Sequence, residues 1–118
     1  MRIILTGATG FIGKNFIPKV IEDKNNYICL VRKDSSIDWL LGYQNIAVHK
    51  CSFTQGELFT ECENAEVVIH MAGQMGGYGI TKEQLEITNC ELTRCLVNAC
   101  LKSNVKQFIY LSTPGVQG

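Results

Sequence analysis

Short apolar runs alternate with longer stretches of helical periodicity from one end of the chain to the other. Arg2 to Leu5 is a brief apolar strand closed by Thr6-Gly7, and Phe11 to about Glu22 reads as the first helix. Pro18 falls inside that helix and is expected to bend it or to remove one backbone bond. Asp23 to Asn26 is a turn, and Tyr27 to Val31 a second apolar strand. Ser36 to Leu41 predicts a short helical turn, and Ile46 to His49 a third strand. Thr54-Gln55-Gly56-Glu57 has capping-box spacing, so a helix of two turns is expected after it. Glu66 to His70 is a fourth strand with a continuous apolar centre. A glycine-rich loop, Gly73 to Gly79, leads to a second capping box at Thr81-Lys82-Glu83-Gln84. That box opens the longest helix, to about Ser103, and Gln107 to Leu111 is the fifth strand.

Continuously apolar strands separated by helices imply a parallel sheet covered on both faces. Right-handed crossovers then give an α/β doubly wound sheet of Rossmann type, with expected order 3-2-1-4-5 and an end after strand 5. The long helix has two apolar stripes. At about 100° per residue, Leu85, Thr88, Leu92, Leu96 and Ala99 share one face, which can cover the sheet. Ile87, Cys90, Val97 and Leu101 lie nearly opposite, interrupted by Arg94. The second stripe needs a partner of its own: a further helix of the same fold, a part of the protein beyond this chain, or a second subunit in a homodimer formed through helix 81–103.

The length of 118 residues suits one domain, 1–118. Eleven basic and eleven acidic residues cancel, which offers nothing to a nucleic-acid surface or an anionic membrane. No apolar run is long enough to span a bilayer, and the N-terminus lacks the apolar core of a signal peptide, so a cytoplasmic protein is expected. Six cysteines, Cys29, Cys51, Cys62, Cys90, Cys95 and Cys100, show no C-x-x-C or paired-histidine spacing. They read as buried or half-buried free thiols of a reducing compartment, with no metal site.

The chemistry is concentrated where the first strand runs into Thr6-Gly7-Ala8-Thr9-Gly10-Phe11-Ile12-Gly13. Gly7 allows a tight turn out of the strand, Gly10 lets backbone approach a diphosphate, and Gly13 lets the helix sit close to the sheet. The free amides and positive end of that helix then face an anion. A glycine pattern alone is weak, but here it follows a strand, opens a helix and begins a βαβ series.

The spacing G-x-x-G-x-x-G resembles that of the short-chain dehydrogenase/reductase superfamily, and its N-terminal placement resembles the extended branch, the NAD-dependent epimerase/dehydratase family. Val67-Val68-Ile69-His70-Met71-Ala72-Gly73 is similar to that family's V-I-H-x-A-A/G. Asn89, then Val105-Lys106-Gln107-Phe108-Ile109-Tyr110, is similar to its N…V-K-x-F-h-Y, and Leu111 to Gly118 to its S-S/T-x-x-V-Y-G. The resemblance implies that Gly7, Gly10, Phe11, Ile12 and Gly13 hold the diphosphate, while Met71, Ala72 and Gly73 line the adenosine and ribose side. It implies that Asn89 lies near the nicotinamide end, that Leu111 and Ser112 flank the nicotinamide, and that Thr113 is the catalytic hydroxyl that hydrogen-bonds a substrate oxygen.

Departures from the pattern carry information too. Where NAD-preferring members have an acidic residue after the second strand, this chain has Arg32 followed by Lys33, with Asp34 two residues late. Cations there suit a 2′-phosphate, so NADP(H) is favoured over NAD(H). After the third strand, Cys51-Ser52 stands where an aspartate often meets the adenine amine, leaving a weaker or backbone contact. The family's Tyr-x-x-x-Lys pair belongs on a helix after the Ser/Thr, and the chain stops at Gly118. Tyr78 and Lys82 have that spacing but sit before the long helix, with Lys82 inside a capping box; His70 reads as a packing residue rather than a base. The expectation is therefore the cofactor-binding part of a longer epimerase, dehydratase or reductase that acts on a hydroxyl/carbonyl substrate, often a nucleotide sugar. A non-catalytic NAD(P)-binding or sensing module is the alternative.

Overall fold

The computed structural model describes residues 1–72 and 79–111. Its strands are β1 (Arg2–Thr6), β2 (Asn26–Arg32), β3 (Ile46–Cys51), β4 (Val67–His70) and β5 (Gln107–Tyr110). All pair in parallel, in the order β3-β2-β1-β4-β5. Between them run α1 (Phe11–Val20), a single 3₁₀ turn at Asp38–Leu40, and α2 (Gln55–Cys62). The long helix comprises α3 (Lys82–Glu86), a π-helical turn at Ile87–Glu91, and α4 (Leu92–Leu101).

Strand alternation divides the core into two layers. Ile3, Leu5, Tyr27, Cys29, Val31 and Val67 face one side and pack against Ile17 and Val20 of α1 and Leu40 of the 3₁₀ turn. Ile4, Ile28, Leu30 and Val68 face the other side and meet Leu58 and Cys62 of α2 and Leu96, Ala99 and Cys100 of α4. Because both faces are buried, the strands read as continuous apolar runs rather than alternating ones. Burial of each such side chain contributes roughly 1.5–3 kcal/mol before the entropy of ordering is subtracted.

Several boundaries shift from those expected. α1 ends at Val20, short of Glu22, while β2 and β3 extend to Arg32 and Cys51 because each continues pairing to the end of the Arg32–Cys51 register. Helix α1 accommodates Pro18 in its last turn, where the lost donor leaves the Lys14 carbonyl without its usual i+4 partner. The Thr54 hydroxyl accepts the Glu57 N–H at 3.3 Å, and the Glu57 carboxylate takes the Thr54 hydroxyl and the Ser52 N–H. At Thr81 both arms of the capping box form.

The π turn is the larger difference. The Leu92 N–H reaches the Ile87 carbonyl, one residue further than in an α-helix, so one extra residue is inserted. A uniform step of about 100° therefore fails across residues 87–91. Of the expected sheet-facing stripe, Leu96 and Ala99 are buried, but so is Cys100, which the uniform wheel left out. In the opposite stripe, Ile87, Cys90 and Leu101 are exposed, so Cys90 departs from the expected buried or half-buried thiols. No described helix is long and apolar enough to cross a membrane.

Candidate functional site

A cavity of about 540 Å³ opens at the C-terminal ends of β1, β2 and β4, where the order of the strands reverses. Its size falls within the usual range for a ligand site, and a doubly wound sheet places its ligand at this switch point. The Gly7 turn forms its floor, residues 30–35 and 52–53 one end, Met71 and Ala72 the adjoining wall, and the π turn with the start of α4 the opposite wall.

The three glycines of the opening loop answer to different constraints. Gly7 has φ +78°, and a Cβ there would lie 2.5 Å from the Ala72 nitrogen. A Cβ on Gly13 would lie 2.2 Å from the Gly7 carbonyl oxygen. The fold itself forbids a side chain at both. Gly10 is otherwise: its φ is −82°, it is exposed on the cavity wall, and an added Cβ would meet only the Gly7 oxygen, at 3.4 Å. Its missing side chain leaves open space in the cavity, directly before the first helical amides.

Those amides belong to Phe11, Ile12 and Gly13, which have no partner within the helix. Gly10 is the N-cap and brings no side chain to them, and the first turn of α1 contains no acidic residue. A helix start normally gains from an anion. Here the first turn supplies none, so the fit to a phosphate rests on backbone donors and a cradle that no described side chain fills. The side chains of Phe11 and Ile12 are 85% and 52% exposed, so any contact they make with an anion is through the backbone.

Arg32 ends β2 at the cavity, and the Ser35 N–H donates to its carbonyl at 3.1 Å, which turns Ser35 into the same wall. Lys33 and Asp34 are exposed and do not line the cavity. In the Cys51-Ser52 pair, Ser52 lines the cavity while Cys51 is buried in the core behind it, where burial pushes its thiol pKa up. The Ser52 N–H is already taken by the Glu57 carboxylate at 3.2 Å. Met71 and Ala72 line the wall, the Met71 N–H bonding to the Thr6 carbonyl at 3.1 Å. Asn89 lies in the π turn, and its carbonyl accepts the Thr93 hydroxyl at 3.0 Å. Leu111 follows β5 and donates its N–H to the His70 carbonyl at 3.2 Å. Gly73, Ser112, Thr113 and Tyr78 lie outside the described residues; Lys82 is exposed at the first position of α3.

Sequence reasoning missed Thr9, Leu30, Val31, Ser35, Phe53, Ile87, Glu91, Leu92 and Cys95 on the cavity wall. Thr9 lies between two glycines already singled out and was within reach. Phe53 carries φ +57°, a left-handed conformation no residue type announces for phenylalanine, and such backbone strain gathers at functional sites. Ile87 and Glu91 reach the cavity through the π turn, which has no sequence signature of its own. His70, read as a packing residue, is buried and stacks on Tyr110 at 5.5 Å, and it also makes two side-chain hydrogen bonds. Burial lowers its pKa to about 4. Among the described residues, no group of three His, Cys, Asp or Glu side chains gathers to hold a metal ion.

Comparison with known proteins places this geometry in context. The human dTDP-D-glucose 4,6-dehydratase is 30% identical over 131 residues, covering 99% of this chain and 37% of that protein. The UDP-glucuronic acid 4-epimerase of Bacillus cereus, solved with NAD, superposes with a TM-score of 0.85 at 23% identity, covering 100% of this chain and 41% of the epimerase. The UDP-N-acetylglucosamine 4-epimerase of the same organism gives 0.76 at 26% identity, over 96% of this chain and 35% of its own. The chain thus spans well under half the length of these relatives. The family model for the NAD dependent epimerase/dehydratase family matches residues 3–118, and this chain belongs to that family.

Proposed function

We propose that residues 1–118 form the dinucleotide-binding unit of an NAD(P)-dependent epimerase, dehydratase or reductase whose substrate carries a hydroxyl/carbonyl pair, a nucleotide sugar by the names of its relatives. One observation carries the reading. Gly10 lacks a side chain that the fold would accept, and the space so left lies against helix amides that have no partner among the described residues. A diphosphate needs that combination: close approach to backbone, donors without competitors, and the positive end of a helix.

In this reading the amides of Phe11, Ile12 and Gly13 hold the diphosphate across the space left at Gly10, and Met71, Ala72 and Gly73 border the adenosine. Ser52 lies at the adenine end, with Cys51 supporting it from the core. Asn89, Leu111 and Ser112 flank the nicotinamide. The bound cofactor supplies a hydride acceptor or donor. The Thr113 hydroxyl hydrogen-bonds the substrate oxygen and polarises it. Arg32, on the wall beside Ser35, offers a forked cation to a ribose 2′-phosphate, so NADP(H) is preferred over NAD(H).

Parallel calorimetric titrations with NADP⁺ and NAD⁺ test both parts. Binding of NADP⁺ more tightly than NAD⁺ is expected. Equal or NAD-favouring affinity overturns the role of Arg32 and leaves the cofactor site standing. Absence of binding to either overturns the cofactor site itself.

A further inference from the structure

Four hydrogen bonds run in series beneath the cavity. The Ala72 N–H donates to the Thr6 hydroxyl oxygen at 3.2 Å, and that hydroxyl lies 2.5 Å from His70 Nδ1. His70 Nε2 lies 2.8 Å from the Thr93 hydroxyl oxygen, and the Thr93 hydroxyl donates to the Asn89 carbonyl at 3.0 Å. Burial holds the imidazole neutral, and donor counting then assigns every proton in this series. Thr93 spends its only proton on Asn89, so it accepts from His70, which must carry its proton on Nε2. Nδ1 is then an acceptor, and the Thr6 hydroxyl donates to it while accepting from Ala72. The imidazole is neutral, fully buried, and satisfied at both nitrogens.

The two ends of the chain hold the two walls of the cavity. At one end Thr6 immediately precedes Gly7 and ties Ala72 to the turn, at a place where even a Cβ on Gly7 would touch the Ala72 nitrogen. At the other end Thr93 grips Asn89, in the turn that carries Ile87 and Glu91 to the cavity. A buried imidazole with one acceptor and one donor, 64 residues from one partner and 23 from the other, is the link between them.

We infer that His70 is a positioning residue for the dinucleotide: through Thr6 and Thr93 it sets the spacing between the Gly7–Ala72 floor and the π-turn wall of the cofactor cleft. This rests on the reading of the cavity as a dinucleotide site. A phenyl group of similar shape would fill the volume but release both hydroxyls, so Thr93 could turn away from Asn89.

The experiment is NADP⁺ and NAD⁺ calorimetry on the protein and three variants, with ¹⁵N spectra of its histidines. Thr93→Val, which removes the acceptor for His70 and the donor to Asn89, is expected to weaken dinucleotide binding about tenfold. Thr93→Ser, which keeps the hydroxyl, restores it to within about twofold. Leu58→Ala, a core truncation on α2 that removes no member of the four-bond series, is chosen as a destabilised control and binds as the parent protein does. The spectra show His70 protonated on Nε2. If the parent protein binds neither dinucleotide, the functional reading fails. If it binds and Thr93→Val binds equally well, if Leu58→Ala loses as much affinity, or if the proton sits on Nδ1, the positioning role is overturned.

Discussion

A Cβ built on Gly13 would stand 2.2 Å from the carbonyl oxygen of Gly7, so the first helix meets the first turn with no room for one more carbon. The oxygen is backbone and is already engaged with the Gly10 N–H at 3.1 Å, so it cannot retreat cheaply. Gly13→Ala should cost about 3 kcal/mol or more in urea unfolding, at the upper end of overpacking. Gly10→Ala should cost no more than about 1 kcal/mol, the penalty of alanine at an N-cap. It should nevertheless reduce dinucleotide affinity by more than about tenfold. A Gly10→Ala protein that is as stable as expected and binds normally would remove the basis for the phosphate cradle.

Arg32 gives a second, independent test. It is exposed and ends a strand, so its replacement leaves the core untouched. Arg32→Asp should lower NADP⁺ affinity by roughly 10–100-fold, the loss of a charge-assisted contact plus repulsion, and raise NAD⁺ affinity through new acceptors for the ribose hydroxyls. Lys33→Ala should change the preference little, because Lys33 does not line the cavity. If Lys33→Ala alters it more than Arg32→Asp does, the second strand ends in a different register from the one described.

The sheet was legible because strands buried on both faces cannot avoid being continuously apolar, and their helices cannot avoid periodicity. The doubly wound class followed from crossover handedness, the strand order from the Rossmann type that the family resemblance implies, and the anion cradle from glycines whose reasons are steric and local. What the sequence concealed was non-local. Whether Gly10 is glycine for the fold or for a ligand depends on Gly7, Gly13 and the cavity together. The two threonines that hold His70 are 87 residues apart, Thr6 on the first strand and Thr93 on the long helix, and nothing near either marks it as a partner. The wheel drawn on the long helix failed because a π turn conserves composition while moving every residue before it by about 100° relative to those after it.

His70 makes acid stability informative. Its folded value of about 4 lies below its ordinary 6.5, and burial is the cause. The unfolded chain therefore binds the proton more readily, so the contribution is complete above pH 6.5 and is lost as the pH falls towards 4. The loss approaches about 1.4 kcal/mol per pH unit and totals about 3 kcal/mol. Asp23 and Glu57, whose carboxyls hydrogen bonds hold below their ordinary 3.8 and 4.5, lose their contributions only further into acid. Urea midpoints measured from pH 7 to 5 should fall in the parent protein and stay nearly level in His70→Gln. An equally steep fall in the variant would assign the proton uptake elsewhere.

The π turn can be removed without removing the helix. Cys90 is exposed within it, and deleting that one residue lets the segment close into regular α-helix. Leu96, Ala99 and Cys100 hold α4 against the sheet, so the deletion should rotate the part before Glu91 rather than the part after it. Ile87 would then leave the cavity wall by about 100° of rotation. Global stability should change by no more than about 1 kcal/mol, since regular helix bonds replace those of the π turn and, among the described side chains of that part of the helix, those that move are exposed or half-exposed. Dinucleotide affinity should fall by about tenfold or more, because one wall of the cleft has turned. Unaltered affinity in a correctly folded deletion variant would mean that the helix wall contributes shape but no binding, and that the cradle at Gly10 suffices alone.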